Sequence, residues 1–291
     1  MKNTLLALLV LIITLPALAQ KEKATDFYLD EVYAFGENGT VYLSADDADI
    51  TIIGEDRADV SVKIEYIVNS KGLEWGNREF RVDISERGND LHIEEYSRSN
   101  RAVVGFVSSD YKIEIHAPIG ANFDIKGDDD NYSIQEIGGE ISLIADDADI
   151  VLKNCTGNRF FFDIDDGDIK MDRGQGQLIA RLDDGDIEII NASFNEIDYR
   201  ADDGHFALET SIGPNAMYKF SGDDSTFDVV VTKGGGTFTI NHDNGRVDYD
   251  NNFRLMDHDE DRTVLSLTGG RSKIIFNGDD IRVSLVSLQA N

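Results

Sequence analysis

Pairs of adjacent aspartates are the residues best placed to do chemistry in this chain. Asp165 and Asp166 in the block "IDDGDI" recur as Asp183 and Asp184 in "LDDGDI". Two neighbouring copies would bring four carboxylates together, and calcium takes about 6–8 oxygen ligands. The same side chains could instead accept hydrogen bonds from turn amides and point into water. The blocks match neither the EF-hand loop nor the nonapeptide calcium-roll pattern, so calcium and a solvated acidic edge both stand as readings. Arg181 and Arg200 each lie two residues before an Asp pair and could bridge carboxylates or hold a polysaccharide. HExxH, GxSxG, GxxxxGK[ST] and CxxC are absent, so no catalytic or cofactor-binding residue is assigned. The histidines, His92, His116, His205, His242 and His258, show no ligand spacing, and His242, in an inward column, reads as a satisfied end-coil residue rather than a metal ligand.

What positions these pairs is a tandem repeat. "ADDADI" occurs at 45–50 and 145–150, and related blocks place a first aspartate at Asp46, Asp128, Asp146, Asp165, Asp183, Asp202, Asp223 and Asp243. The steps are 82, then 18, 19, 18, 19, 21 and 20, with a degenerate copy, "FNGDDI", at 276–281. Apolar residues alternate at period two on both sides of each block, as in Leu178, Ala180 and Leu182 before one and Ile187 and Ile189 after it. That is the signal of a half-buried strand. Each repeat is therefore strand, Asp-rich corner, strand and a second, variable corner. A meander of hairpins would need glycine at the tight turn, yet the glycine slot also holds Ala48, Ala148 and Ser225. The pattern favours an all-β solenoid, a β-helix-like stack of two-strand repeats of 18–21 residues with a strand-rich N-terminal insertion.

Composition narrows the function. With 27 Lys plus Arg against 56 Asp plus Glu, the 291-residue chain carries a formal charge of -29, which repels nucleic-acid phosphates and anionic lipid headgroups. Lys2, the apolar run 5–15 and Ala17-Leu18-Ala19 read as a signal peptide over 1–19, implying export to the periplasm, cell surface or medium. No later stretch is apolar enough for a membrane helix. The single cysteine, Cys155, cannot form an intrachain disulfide and reads as a small apolar residue near a turn.

Residues 20–291 read as one β-repeat domain: an insertion at 54–117, regular repeats at 118–250 and degenerate coils at 251–291. Ile144, Phe161 and Ile179 fall outward on three successive coils and form an apolar patch. The insertion's own apolar residues, Trp75, Val103, Val104 and Phe106, offer one cover for it, and a partner protein offers another.

The run "IEIHAPIGANFDIKG" at 113–127, together with the recurring Asp-Gly-Asp-Ile steps and the signal peptide, resembles the bacterial putative-adhesin family of unknown function. The resemblance implies β-strand repeats, a solenoid and an envelope or surface location, and it transfers no catalytic residue. The function expected is a non-enzymatic cell-envelope or secreted adhesin-like scaffold that presents an acidic repetitive face to an envelope protein or polysaccharide. The alternative is a polysaccharide-active enzyme of β-helix type.

Overall fold

The computed structural model describes residues 26–76, 78–100 and 102–289; the signal-peptide segment lies outside the described residues. The repeat period becomes a stack of parallel rungs, each a chain segment folded at an Asp corner into two limbs. In the regular region, β8 (Asn122–Lys126) and β9 (Asp129–Gln135) precede β10 (Ile141–Lys153), which runs through both limbs of its rung. Next come β11 (Arg159–Asp166) with β12 (Ile169–Asp172), and β13 (Gln175–Ser211). β13 passes through two rungs: residues 177–190 pair with β11 and β12, and 196–211 pair with β14 (Met217–Ser221) and β15 (Asp224–Lys233). These pairings are all parallel, as a solenoid requires and a hairpin meander does not.

At both ends the chain leaves sequential order. β2 (Thr40–Ser44) and β3 (Asp49–Glu55) form a rung that lies beside β8 and β9, which removes the 82-residue gap between Asp46 and Asp128. The insertion supplies β4 (Asp59–Trp75), β5 (Arg78–Arg87), β6 (Asp90–Ser99) and β7 (Ala102–Pro118). β6 and β7 stack on the outer side of β2 and β3, and they continue antiparallel into β5 and β4, where β1 (Phe27–Ala34) forms the edge. At the other end, β16 (Gly236–His242) and β17 (Arg246–Tyr249) do not follow β14 and β15. The last strands, β20 (Ser272–Gly278) and β21 (Arg282–Ser287), occupy the rung between them. A hairpin of β18 (Arg254–His258) and β19 (Arg262–Leu267) pairs antiparallel onto β16. The copy at Asp243 is therefore not the neighbour of the copy at Asp223; the degenerate copy at 276–281 is, with Asp280 N–H donating to Asp223 C=O at 3.1 Å.

The core lies between the limbs. Inward columns stack one residue per rung, for example Leu143, Phe162, Ala180, Tyr199, Phe220 and Phe276, all buried. Phe220 and Phe276 stack face to face at 4.8 Å. Cys155 is buried as well, and burial pushes its thiol up to about 11, which removes it as a nucleophile.

Candidate functional site

The Asp corner presents three outward columns, because every rung bends at the same point of its block. Parallel register aligns the second aspartates, Asp129, Asp147, Asp166 and Asp184, with Asp203 opposite Asp224 further along. The first aspartates run beside them. Both rows are exposed, and together they form a double ladder at the interstrand spacing of ~4.8 Å. Burial at the corner raises Asp46, Asp128, Asp147 and Asp165 above the ordinary carboxylate range, and neighbouring aspartates push the same way.

The third column, one residue past the inward slot, behaves differently. Asp149 Oδ1 accepts from Asp168 N–H at 3.1 Å, Asp168 Oδ1 from Asp186 N–H at 3.2 Å, and Asp186 Oδ1 from His205 N–H at 3.1 Å. These carboxylates are the turn acceptors, each tying its corner to the next rung. Gly167 and Gly185 occupy the inward slot with φ of +131° and +139°, and a Cβ on Gly185 would lie 2.1 Å from the Gly167 carbonyl oxygen.

The four sequence candidates for calcium, Asp165, Asp166, Asp183 and Asp184, do meet on neighbouring rungs. They form two parallel rows, and among the described residues no group of three or more His, Cys, Asp or Glu side chains is arranged to hold a metal ion. Arg181 approaches Asp163 at 3.7 Å and Arg200 approaches Asp198 at 3.6 Å, so each engages a carboxylate on its own limb instead of the ladder. His242 points inward as read, but its Nδ1 is buried without a hydrogen-bond partner.

The apolar patch is rearranged. Phe161 and Ile179 are rung partners, whereas Ile144 pairs with Asp163 and stands in the adjacent column. The corner, not the count of coils, sets this register: Asp146 to Asp165 is a step of 19, which carries Ile144 onto Asp163. The guanidiniums of Arg159 and Arg181 lie 5.6 and 5.7 Å from the Phe161 ring centre. Trp75, Val104 and Phe106 remain exposed, on a ribbon extending from the N-terminal end of the stack, so they do not cover this patch.

Two acids were missed from sequence. Asp130 fills the inward slot that holds alanine or glycine on the next rungs; it is buried and accepts from Ala48 N–H at 2.7 Å and the Tyr132 hydroxyl at 2.9 Å. The block "GDDDNY" carried the signal, since its third aspartate occupies the glycine slot. Glu95, on β6, accepts from Asp46 N–H at 3.1 Å and closes the N-terminal end of the ladder. Nothing in the repeat announces it.

Comparison with known proteins agrees with this architecture. The family model described as Toastrack DUF4097 matches residues 40–223. A putative adhesin from Parabacteroides distasonis superposes with a TM-score of 0.52 at 11% identity, covering 91% of this chain and 98% of that one. A putative cell adhesion protein from Clostridium sporogenes aligns over 90% of this chain and 99% of its own at 11% identity, with a TM-score of 0.22 that carries no weight. No curated protein matches the chain.

Proposed function

The chain belongs to the Toastrack DUF4097 family, and from that premise we propose that it is a non-enzymatic cell-envelope or secreted adhesin-like scaffold. Its acidic corner ladder is the face that meets an envelope protein or polysaccharide. The carrying observation is the division of labour among the columns: Asp149, Asp168 and Asp186 serve the turns, which leaves the double row at Asp146–Asp147, Asp165–Asp166 and Asp183–Asp184 exposed. Like charges held at rung spacing repel, so a row free of turn duties is stabilised by a cationic or hydrogen-bond-donating partner of matching repeat. The description of the Parabacteroides distasonis neighbour as a putative adhesin supports the same reading.

The test compares the folded chain with a variant carrying Asp165→Asn, Asp166→Asn, Asp183→Asn and Asp184→Asn, both titrated onto immobilised envelope fragments at several salt concentrations. The wild type should bind with a steep loss on added salt, and the variant should bind several-fold more weakly with a shallower salt dependence. Equal binding by the two proteins would remove the ladder from the interface. Release of shortened glycan by the wild type would instead establish the enzyme alternative.

A further inference from the structure

At the C-terminal end of the stack the third outward column changes character. Past Asp149, Asp168 and Asp186 it continues as His205, Thr226, Arg282 and Arg246, with Thr226 paired to Arg282 and Arg282 to Arg246 on adjacent strands. Two arginines thus stand on neighbouring rungs in a chain whose net charge is -29. They line a trough formed by two adjoining cavities of about 500 and 540 Å³, which share Thr226, Asn244, Arg246 and Arg282.

The charges in this trough are unevenly satisfied. Arg246 is held by a two-pronged contact to Asp248, at 2.7 Å from Nε and 3.1 Å from a terminal nitrogen. Asp228 is taken by His205, whose Nε2 lies 2.9 Å from its carboxylate. Arg282 is exposed and, among the described residues, its guanidinium has neither an ion pair nor a hydrogen bond. A free guanidinium beside a like charge suits a planar anion that can bridge both forks. Around that point, Asp224, Asp280, Asn244 and Thr226 offer hydrogen-bond acceptors and donors, which match hydroxyl groups and disfavour a second anionic group.

The geometry points to a binding site for a singly carboxylated sugar, a uronic-acid unit, whose carboxylate rests on Arg282 and Arg246 while its hydroxyls meet the surrounding aspartates and Asn244. This site lies at the C-terminal end of the same corner, on rungs beyond those that carry Asp165, Asp166, Asp183 and Asp184, and stands or falls independently of those four aspartates.

The test is an NMR titration of the folded chain with D-glucuronate, and with D-glucose and acetate as the two half-ligands. Saturable shifts with glucuronate, and much weaker response to either half-ligand, are expected. Arg282→Gln should weaken glucuronate binding roughly tenfold or more, the loss typical of a charge-assisted contact. Arg181→Gln, on the other limb, should leave it unchanged. Because Arg282 is exposed and unpaired, its variant should unfold at the wild-type midpoint, which separates lost binding from lost folding. Absence of saturation, an unaffected Arg282→Gln variant, or acetate binding as tightly as glucuronate would each overturn the proposal. Ladder-dependent retention on envelope fragments should be the same in Arg282→Gln and wild type, so failure here leaves the corner reading intact.

Discussion

Replacing Glu95 by glutamine should stabilise the protein above neutral pH and flatten its stability profile below it. Glu95 lies where β6 passes the first corner, with its Oε2 accepting from Asp46 N–H and with Asp46, Asp130 and the Tyr111 hydroxyl facing the same carboxylate. Burial pushes its carboxyl from an ordinary 4.5 up to about 7, and the charges of Asp46 and Asp130 push the same way; the hydrogen bond from Asp46 N–H pulls it down. Between those two values the folded chain holds a proton that the unfolded chain has released, so stability falls as pH rises through that window and levels off above it. Two and a half decades of proton affinity correspond to roughly 3.4 kcal/mol. Water reaches part of the side chain, and that screening leaves about 1–2 kcal/mol. Glutamine keeps an acceptor for Asp46 N–H and carries no charge, so Glu95→Gln should gain that amount at pH 8 and nearly nothing at pH 4.5. Denaturant titrations of both proteins at pH 4.5, 6, 7 and 8, at fixed ionic strength, read the difference. Asp46 and Asp130 are raised too and tilt both profiles alike, so only the gap between wild type and variant is diagnostic. Parallel profiles, or a variant weaker at pH 8, would refute the reasoning.

Phe162→Ala should cost about 3–5 kcal/mol, since the ring is fully buried against Leu143 and Ala180, whereas its exposed-face neighbour Asp163→Ala should cost under about 0.5 kcal/mol; equal losses in urea would contradict the inward register. Gly185→Ala forces a Cβ onto the Gly167 carbonyl at a backbone angle side chains avoid, so it should lose at least about 1–3 kcal/mol, while Ala148→Gly in the same slot should lose only about 0.5–1 kcal/mol. Millimolar calcium at constant ionic strength should leave the thermal midpoint unchanged, because the ladder carboxylates run in rows; a midpoint that climbs with calcium would restore Asp165, Asp166, Asp183 and Asp184 as ligands.

The middle of the stack was legible in the sequence because every rung there meets the same surroundings: a rung above, a rung below, core on one side and water on the other. Identical surroundings select identical residue types, which is why the Leu178, Ala180 and Leu182 alternation and the 18–21-residue step survive as visible pattern. Order at the ends was not legible. A parallel hydrogen-bond ladder is indifferent to how much chain separates its strands, so β21 can slot between β15 and β17 with no mark in the period. The chemistry follows the same divide. A column residue in mid-stack is constrained by neighbours on both sides, and its aspartates are accordingly uniform. Near the ends that constraint lapses, and there the column rule is broken: Asp130 in a slot for alanine or glycine and Glu95 over the first corner, and Arg282 and Arg246 where aspartates would continue the row. Positions that depart from a repeat without a packing reason are where local choice has yielded to something outside the fold. Asp130 has a packing reason, its three donors, Ala48 N–H, Asp128 N–H and the Tyr132 hydroxyl. Arg282 has none among the described residues, and that asymmetry makes the C-terminal trough, more than the N-terminal corner, the place to look for a ligand.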